Sequence, residues 1–228
     1  MKAKRKTFVE LYSDLAWVAP ALAVELIDNT RQCGRMTHMI GNWLFERGHF
    51  VDTVEGSGQY GSHFDIMVDT SDRGWVSVDP TAIQFHAPPN MQAAYHLAER
   101  ELATDDEAVL EARALQLFEP TLQWLARGLH GDPGVFEIGA FPKRRRIPHP
   151  RPATAMDLDS KEPGVVWKVA TPRDSQYRDA TWGEFWTRTR NRALNYLATG
   201  DLSALYGYGR RRVPPEGLRL KRLVERDP

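Results

Sequence analysis

Two alternating stretches constrain this chain more than anything else in it. "SHFDIMV" at 62–68 sets Phe64, Ile66 and Val68 at every second position, "WVSVD" at 75–79 does the same with Val76 and Val78, and "TSDRG" is the turn between them. Strict alternation is the pattern of a half-buried strand, and a short Gly-containing link between two such strands predicts a hairpin. In the first strand Phe64, Ile66 and Val68 share one face, and His63, Asp65 and Met67 share the other. In the second, Val76 and Val78 oppose Trp75, Ser77 and Asp79. If both apolar faces look into one core, His63 and Asp79 project from the same opposite face. Pairing Asp69 with Trp75 puts Asp65 opposite Asp79 and makes His63 and Asp79 diagonal neighbours. Diagonal Cα atoms lie about 7–8 Å apart, a gap that a His–carboxylate hydrogen bond can bridge. Pro80 biases Asp79 toward an extended backbone, so the acid is held at the strand exit. On the hairpin alone, Asp79 reads as a turn residue and His63 as a solvent-facing one.

Cys33 shifts that balance. It is the only cysteine, so no internal disulfide exists. It stands where an amphipathic helix is predicted to begin: Met36, Met39, Ile40, Trp43 and Leu44 recur at helical spacing, and Gly48 supplies the stop. Unpaired N–H groups and the helix dipole at such a position lower a thiol pKa. Gly34 permits close approach, and Gln32 and Asn29 can offer a side-chain amide to an oxyanion. A thiol at a helix start, a His to move its proton and a carboxylate to orient that His form a nucleophilic set. The other candidates rank below it. His38 falls on a different helix face from Cys33, His49 and His86 flank the hairpin, and Asp65 is the rival to Asp79. A zinc site needs more thiols or a tight His cluster. "EGSGQYG" lacks the Lys-Ser/Thr of a phosphate loop.

The residues that carry this set also carry a resemblance. "CGRMTHMIGNWLFERGH", "GSHFDIMV" and "GWVSVDPT" together resemble the core of the transglutaminase-like branch of the papain-like cysteine enzymes. The following "AIQF" is similar to small papain-fold toxin and deamidase domains, and the likeness spans residues 29–86. After the His, family members often have an aromatic and an acid ("HAWvE"), where this chain has "HFDI". The resemblance implies acyl transfer through a thioester on Cys33, with His63 as proton carrier, Asp79 as its orienting acid, and Gln32, Asn29, Gly34 and Trp75 around the oxyanion and substrate. It implies no metal or organic cofactor. The product is a hydrolase, either a protein glutamine deamidase or a cysteine protease. With an amine acceptor it is a transglutaminase. The substrate is a protein or peptide bearing a carboxamide or peptide bond. A toxin or effector role fits such a chain and brings a cognate inhibitor with it.

Around this core the pattern predicts an α+β fold, with the Cys-bearing helix packed on an antiparallel sheet and a mostly helical C-terminal part. Helices are expected over 7–17 and 21–28, split by Pro20, then over 90–103, 105–129 and from Thr181 to about Ala198. Thr104/Glu107 and Thr181/Glu184 are the capping boxes. Strands are expected over 49–54, 62–68, 75–79 and 164–170. Two parts result: a catalytic core with helical extension over 1–139, and a basic, proline-rich then helical part over 140–228 packed on that core.

Net charge supplies the competing reading. It is zero, but residues 1–139 hold 11 Lys and Arg against 20 Asp and Glu, and residues 140–228 hold 19 against 10. Mutual attraction of the two parts accounts for this. A basic surface for nucleic acid or another acidic partner is the alternative, with "KRRR", "RTRNR" and "GRRR" interspersed with aromatics. Trp182, Phe185, Trp186 and Leu194 at helical spacing read as core, with the arginines as a solvated face. No apolar run is long enough for a membrane span. Glu10 and Asp14 interrupt what would otherwise look like a signal peptide, so the expected location is cytoplasmic, or exported without a cleavable signal.

Overall fold

The structure, a computed structural model, describes residues 5–28, 33–58, 61–85, 91–140 and 181–205. Among them are five α-helices and one four-stranded antiparallel sheet, so the fold is α+β. In chain order these are α1 (Phe8–Asp28), α2 (Cys33–Glu46), β1 (Phe50–Gly58), β2 (Gly61–Thr70), β3 (Gly74–Asp79), α3 (Met91–Leu102), α4 (Glu107–Leu129), β4 (Glu137–Ala140) and α5 (Trp182–Thr199). No described helix is long and apolar enough to cross a membrane. The chain forms two compact units, each assembled from separated segments. One takes residues 1–17, 32–81 and 136–187, and the other 18–31, 82–135 and 188–228.

The first unit holds the sheet, ordered β1-β2-β3-β4, with α2 packed on β1 and β2. Asp69 pairs with Trp75 and Ile66 with Val78, the expected register. Thr70 and Gly74 also pair, so the link is three residues long, not five. Gly74 takes a left-handed backbone there (φ +69°). The stretch "EGSG", which lies between the expected strands 49–54 and 62–68, is strand: pairing of β1 with β2 continues to Gly58↔Gly61. β4, outside the four strands expected from the sequence, pairs Glu137 with Asp79 and Ile138 with Val78. Val51, Ile66, Val68 and Val78 are fully buried, as are Met36, Ile40 and Leu44 of α2. At the end of α2, Gly48 (φ +86°) donates its N–H to the Phe45 carbonyl and His49 donates to Leu44, a Schellman stop. Trp186 of α5 is fully buried, and its indole N–H reaches the Met39 carbonyl at 3.5 Å. The Glu46 carboxylate accepts from the N–H groups of Trp182 and Gly183, which caps α5. The Thr181/Glu184 box forms reciprocally, at 2.9 and 3.2 Å.

The second unit is helical. Pro20 lies inside α1 rather than between two helices. Its missing N–H and ring clash cost about 3 kcal/mol. Val18 and Leu22 on either side are fully buried, at about 1.5–3 kcal/mol each, and that burial outweighs the break. α3 packs on α4. The cap of α4 is Asp106, whose carboxylate accepts from the N–H groups of Ala108 and Val109, not the expected Thr104. On α5, Ala193 and Tyr196 are buried and Leu194 is exposed, because Leu194 lies off the 185–186–189–193–196 stripe. The expected strand at 164–170 and the clusters at 143–146 and 209–212 lie outside the described residues.

Candidate active site

Three elements of the first unit converge on one imidazole. Cys33 is the first residue of α2, as expected, and its thiol is half-buried. One turn on, Thr37 donates its hydroxyl to the Phe64 carbonyl at 2.8 Å. Residues i and i+4 share a helix face, so this bond fixes Cys33 against the start of β2, where His63 stands. The His63 Nε2 lies 2.7 Å from Asp79 Oδ2, across the diagonal of the β2–β3 pair. The other oxygen of Asp79 accepts the Thr81 N–H at 2.7 Å and the Thr81 hydroxyl at 3.2 Å. Asp79 is thus both a turn residue and a partner of His63. Pro80 donates nothing to this turn, and Thr81 supplies both donors.

The electrostatics follow from the contacts. Burial pushes the Cys33 thiol up. The hydrogen bond from His63 and its charge, with backbone hydrogen bonds from Gly34 and Phe64, outweigh burial, so the thiol sits below its ordinary value. Burial alone would push His63 down. Its hydrogen bonds to Asp65, Asp79 and Cys33 and the charge of Asp79 raise it to about 11. Both shifts favour the same charge state, a thiolate beside an imidazolium.

Asp65, the expected rival to Asp79, meets His63 alongside Asp79 rather than in its place. Its Oδ1 lies 3.2 Å from His63 Nε2, and its Oδ2 accepts the Ser77 hydroxyl at 3.2 Å. The donor atoms of His63, Asp65 and Asp79 all lie within 4.8 Å of one another. A separation of 2.7 Å is that of a charge-assisted N–H···O bond, and a nitrogen carrying that proton has no lone pair for a cation, so the group reads as a hydrogen-bonded cluster.

The remaining candidates fall elsewhere. Gln32, Asn29 and His86 lie outside the described residues. A Cβ on Gly34 would rest 3.5 Å from the Phe64 ring, an ordinary contact, so crowding does not demand glycine there. Trp75 is half-buried on the face of β3 that carries Ser77 and Asp79. His38 is buried on α2 with Nε2 3.0 Å from the Asn42 amide, and burial holds its pKa down at about 4. His49 is buried against Asp14 at 2.8 Å, in a cluster with Lys6 and Arg47. No family model, curated protein or solved structure matches this chain.

Proposed function

We propose that the chain is a cysteine-dependent acyl-transfer hydrolase, with a core of papain-like, transglutaminase-like type, acting on a protein carboxamide or peptide bond. The observation that carries this is the hydrogen-bonded series Cys33–His63–Asp79, drawn from a helix start and two adjacent strands. The Cys33 thiolate attacks the carbonyl carbon, and the C–S bond forms as the carbonyl electron pair moves to oxygen. The backbone N–H of Cys33, in the first turn of α2, is the donor assigned to that oxyanion, since first-turn N–H groups of a helix are the ones available to a ligand. As the C–N bond breaks, His63 gives its proton to the leaving nitrogen. Water then attacks the thioester, His63 takes its proton, and the thiolate is regenerated with a carboxylic acid as product. Asp79 keeps the imidazole turned toward the thiol throughout. Because Nε2 is engaged by carboxylates, Nδ1 is the nitrogen that serves Cys33.

Alkylation tests the thiol without a known substrate. Iodoacetamide should modify Cys33 at pH 6–7 faster than a free thiol of pKa about 8.5, and His63→Ala should remove that advantage. A wild-type rate matching the free thiol, with no response to His63→Ala, refutes the proposal. Ammonia release, new N-termini and amine incorporation then separate deamidase, protease and transglutaminase. A toxin role predicts growth arrest on expression that Cys33→Ala relieves.

A further inference from the structure

We infer that Asp65 is a second positioning carboxylate for His63, held in place by Ser77 and sharing the Nε2 proton with Asp79. The inference rests on the thiol–imidazole reading above, although its test does not. One N–H faces two acceptors: Asp79 Oδ2 at 2.7 Å and Asp65 Oδ1 at 3.2 Å. Both distances lie within the hydrogen-bond range. The two acids are anchored differently. Asp79 is buried and its far oxygen is fixed by two donors from Thr81. Asp65 is 36% exposed and its far oxygen has the Ser77 hydroxyl. Ser77 stands two residues before Asp79 on the same face of β3, so one strand supplies both the first carboxylate and the support for the second.

The consequence is divided control of the imidazole. Among the described residues, the titratable groups set against His63 are Cys33 from α2, Asp65 from its own strand and Asp79 from β3. On β1 its partner is Gly56, which has no side chain to contribute. A single orienting carboxylate would leave the ring free to turn once that acid were lost. Two acids on one nitrogen hold it with either alone, and the second, being half-exposed, is the one a substrate can reach.

The test is titration of the His63 ring by nitrogen and proton NMR, on the full chain with Cys33→Ala. That background removes the thiol, so the outcome is independent of whether Cys33 is a nucleophile. Asp65→Asn should lower the midpoint of His63 by about one pH unit or more, roughly tenfold in its proton affinity. Asp79→Asn should also lower it but leave it above the ordinary value of about 6.5, and only the double variant should bring it there. Ser77→Ala, a small change that leaves both carboxylates, should move the midpoint the same way by less. The inference is overturned if Asp65→Asn superimposes on its parent, or if Asp79→Asn alone reaches the midpoint of the double variant. If these results hold while Cys33 alkylates like a free thiol, the acyl-transfer reading falls and the shared proton stands.

Discussion

At the residue scale, the pair His63–Asp79 was legible because β-alternation leaves no freedom about which side chains share a face. A one-residue slip would have sent His63 into the core with Phe64's neighbours. What alternation could not give was the distance from Cys33, which depends on how α2 lies against β2. That is fixed by a buried threonine, Thr37, bonding to a backbone carbonyl, and nothing in local sequence marks such a bond. Alternation shows Asp65 as a same-face neighbour of His63, but its exposure and its Ser77 partner are tertiary facts. The charge state yields a prediction about pH. Activity should rise from the acid side as Cys33 ionises below its ordinary value, and should fall only as His63 loses its proton near 11. Folding holds that proton more tightly, so the associated stability is complete below the ordinary His value of about 6.5 and is lost as pH rises toward about 11. A rate profile that instead declines across about pH 6 to 7 would show that His63 titrates near the ordinary value. Thr37→Val, nearly the same shape without the hydroxyl, should slow Cys33 alkylation by loosening α2 at β2 while α2 itself stays helical, as alkylation rate and circular dichroism would show.

At the element scale, end signals were read well where one residue type stood alone and poorly where several competed. Thr181 with Glu184 was unambiguous and forms as read. "TDDE" at 104–107 offers three cap formers in a row, and Asp106 takes the place because it directly precedes the first helical residue and brings a charge to the helix's positive end. Asp106→Ala should therefore cost about 1 kcal/mol of stability, measured by urea unfolding, and Thr104→Ala much less. An equal loss in both would mean that Thr104 shares the cap. Gly48 is a second such point. Its φ of +86° is disfavoured for a residue with a Cβ although nothing lies within 4 Å of that position, so Gly48→Ala is a backbone penalty alone, about 1 kcal/mol. Pro20 reads as a break between two helices only when helix breaking is judged locally, and the structure keeps it inside α1. Burial on either side of it, which decides the matter, is a property of packing.

At the scale of the whole molecule, chain order and spatial order diverge, and this was the least legible feature. α1 and α5 are each divided between the two units, at residues 17/18 and 187/188. Helical periodicity shows that such helices have an apolar stripe but not what covers each half of it. The basic tracts that gave the charge asymmetry its interest lie largely outside the described residues, so the asymmetry remains a sequence fact. The divided α5 makes a strong prediction about truncation. The first turns of α5 belong with the unit that carries Cys33, His63 and Asp79. Phe185 and Trp186 are buried there, Trp182 meets His38 edge to face, and Glu46 at the end of α2 caps the helix. A fragment ending at residue 140 keeps every candidate active-site residue in sequence but loses these contacts. Removing one large buried aromatic typically costs about 3–5 kcal/mol, and a domain of this size has about 5–15 kcal/mol in all. Losing two buried aromatics should therefore leave residues 1–140 without a fixed core. Near-ultraviolet circular dichroism of that fragment should be flat, and Cys33 should alkylate as an ordinary thiol, because the α2–β2 geometry that depresses its pKa no longer persists. A fragment that keeps sharp near-ultraviolet bands and a fast-reacting Cys33 would show that α5 is dispensable to the unit it caps.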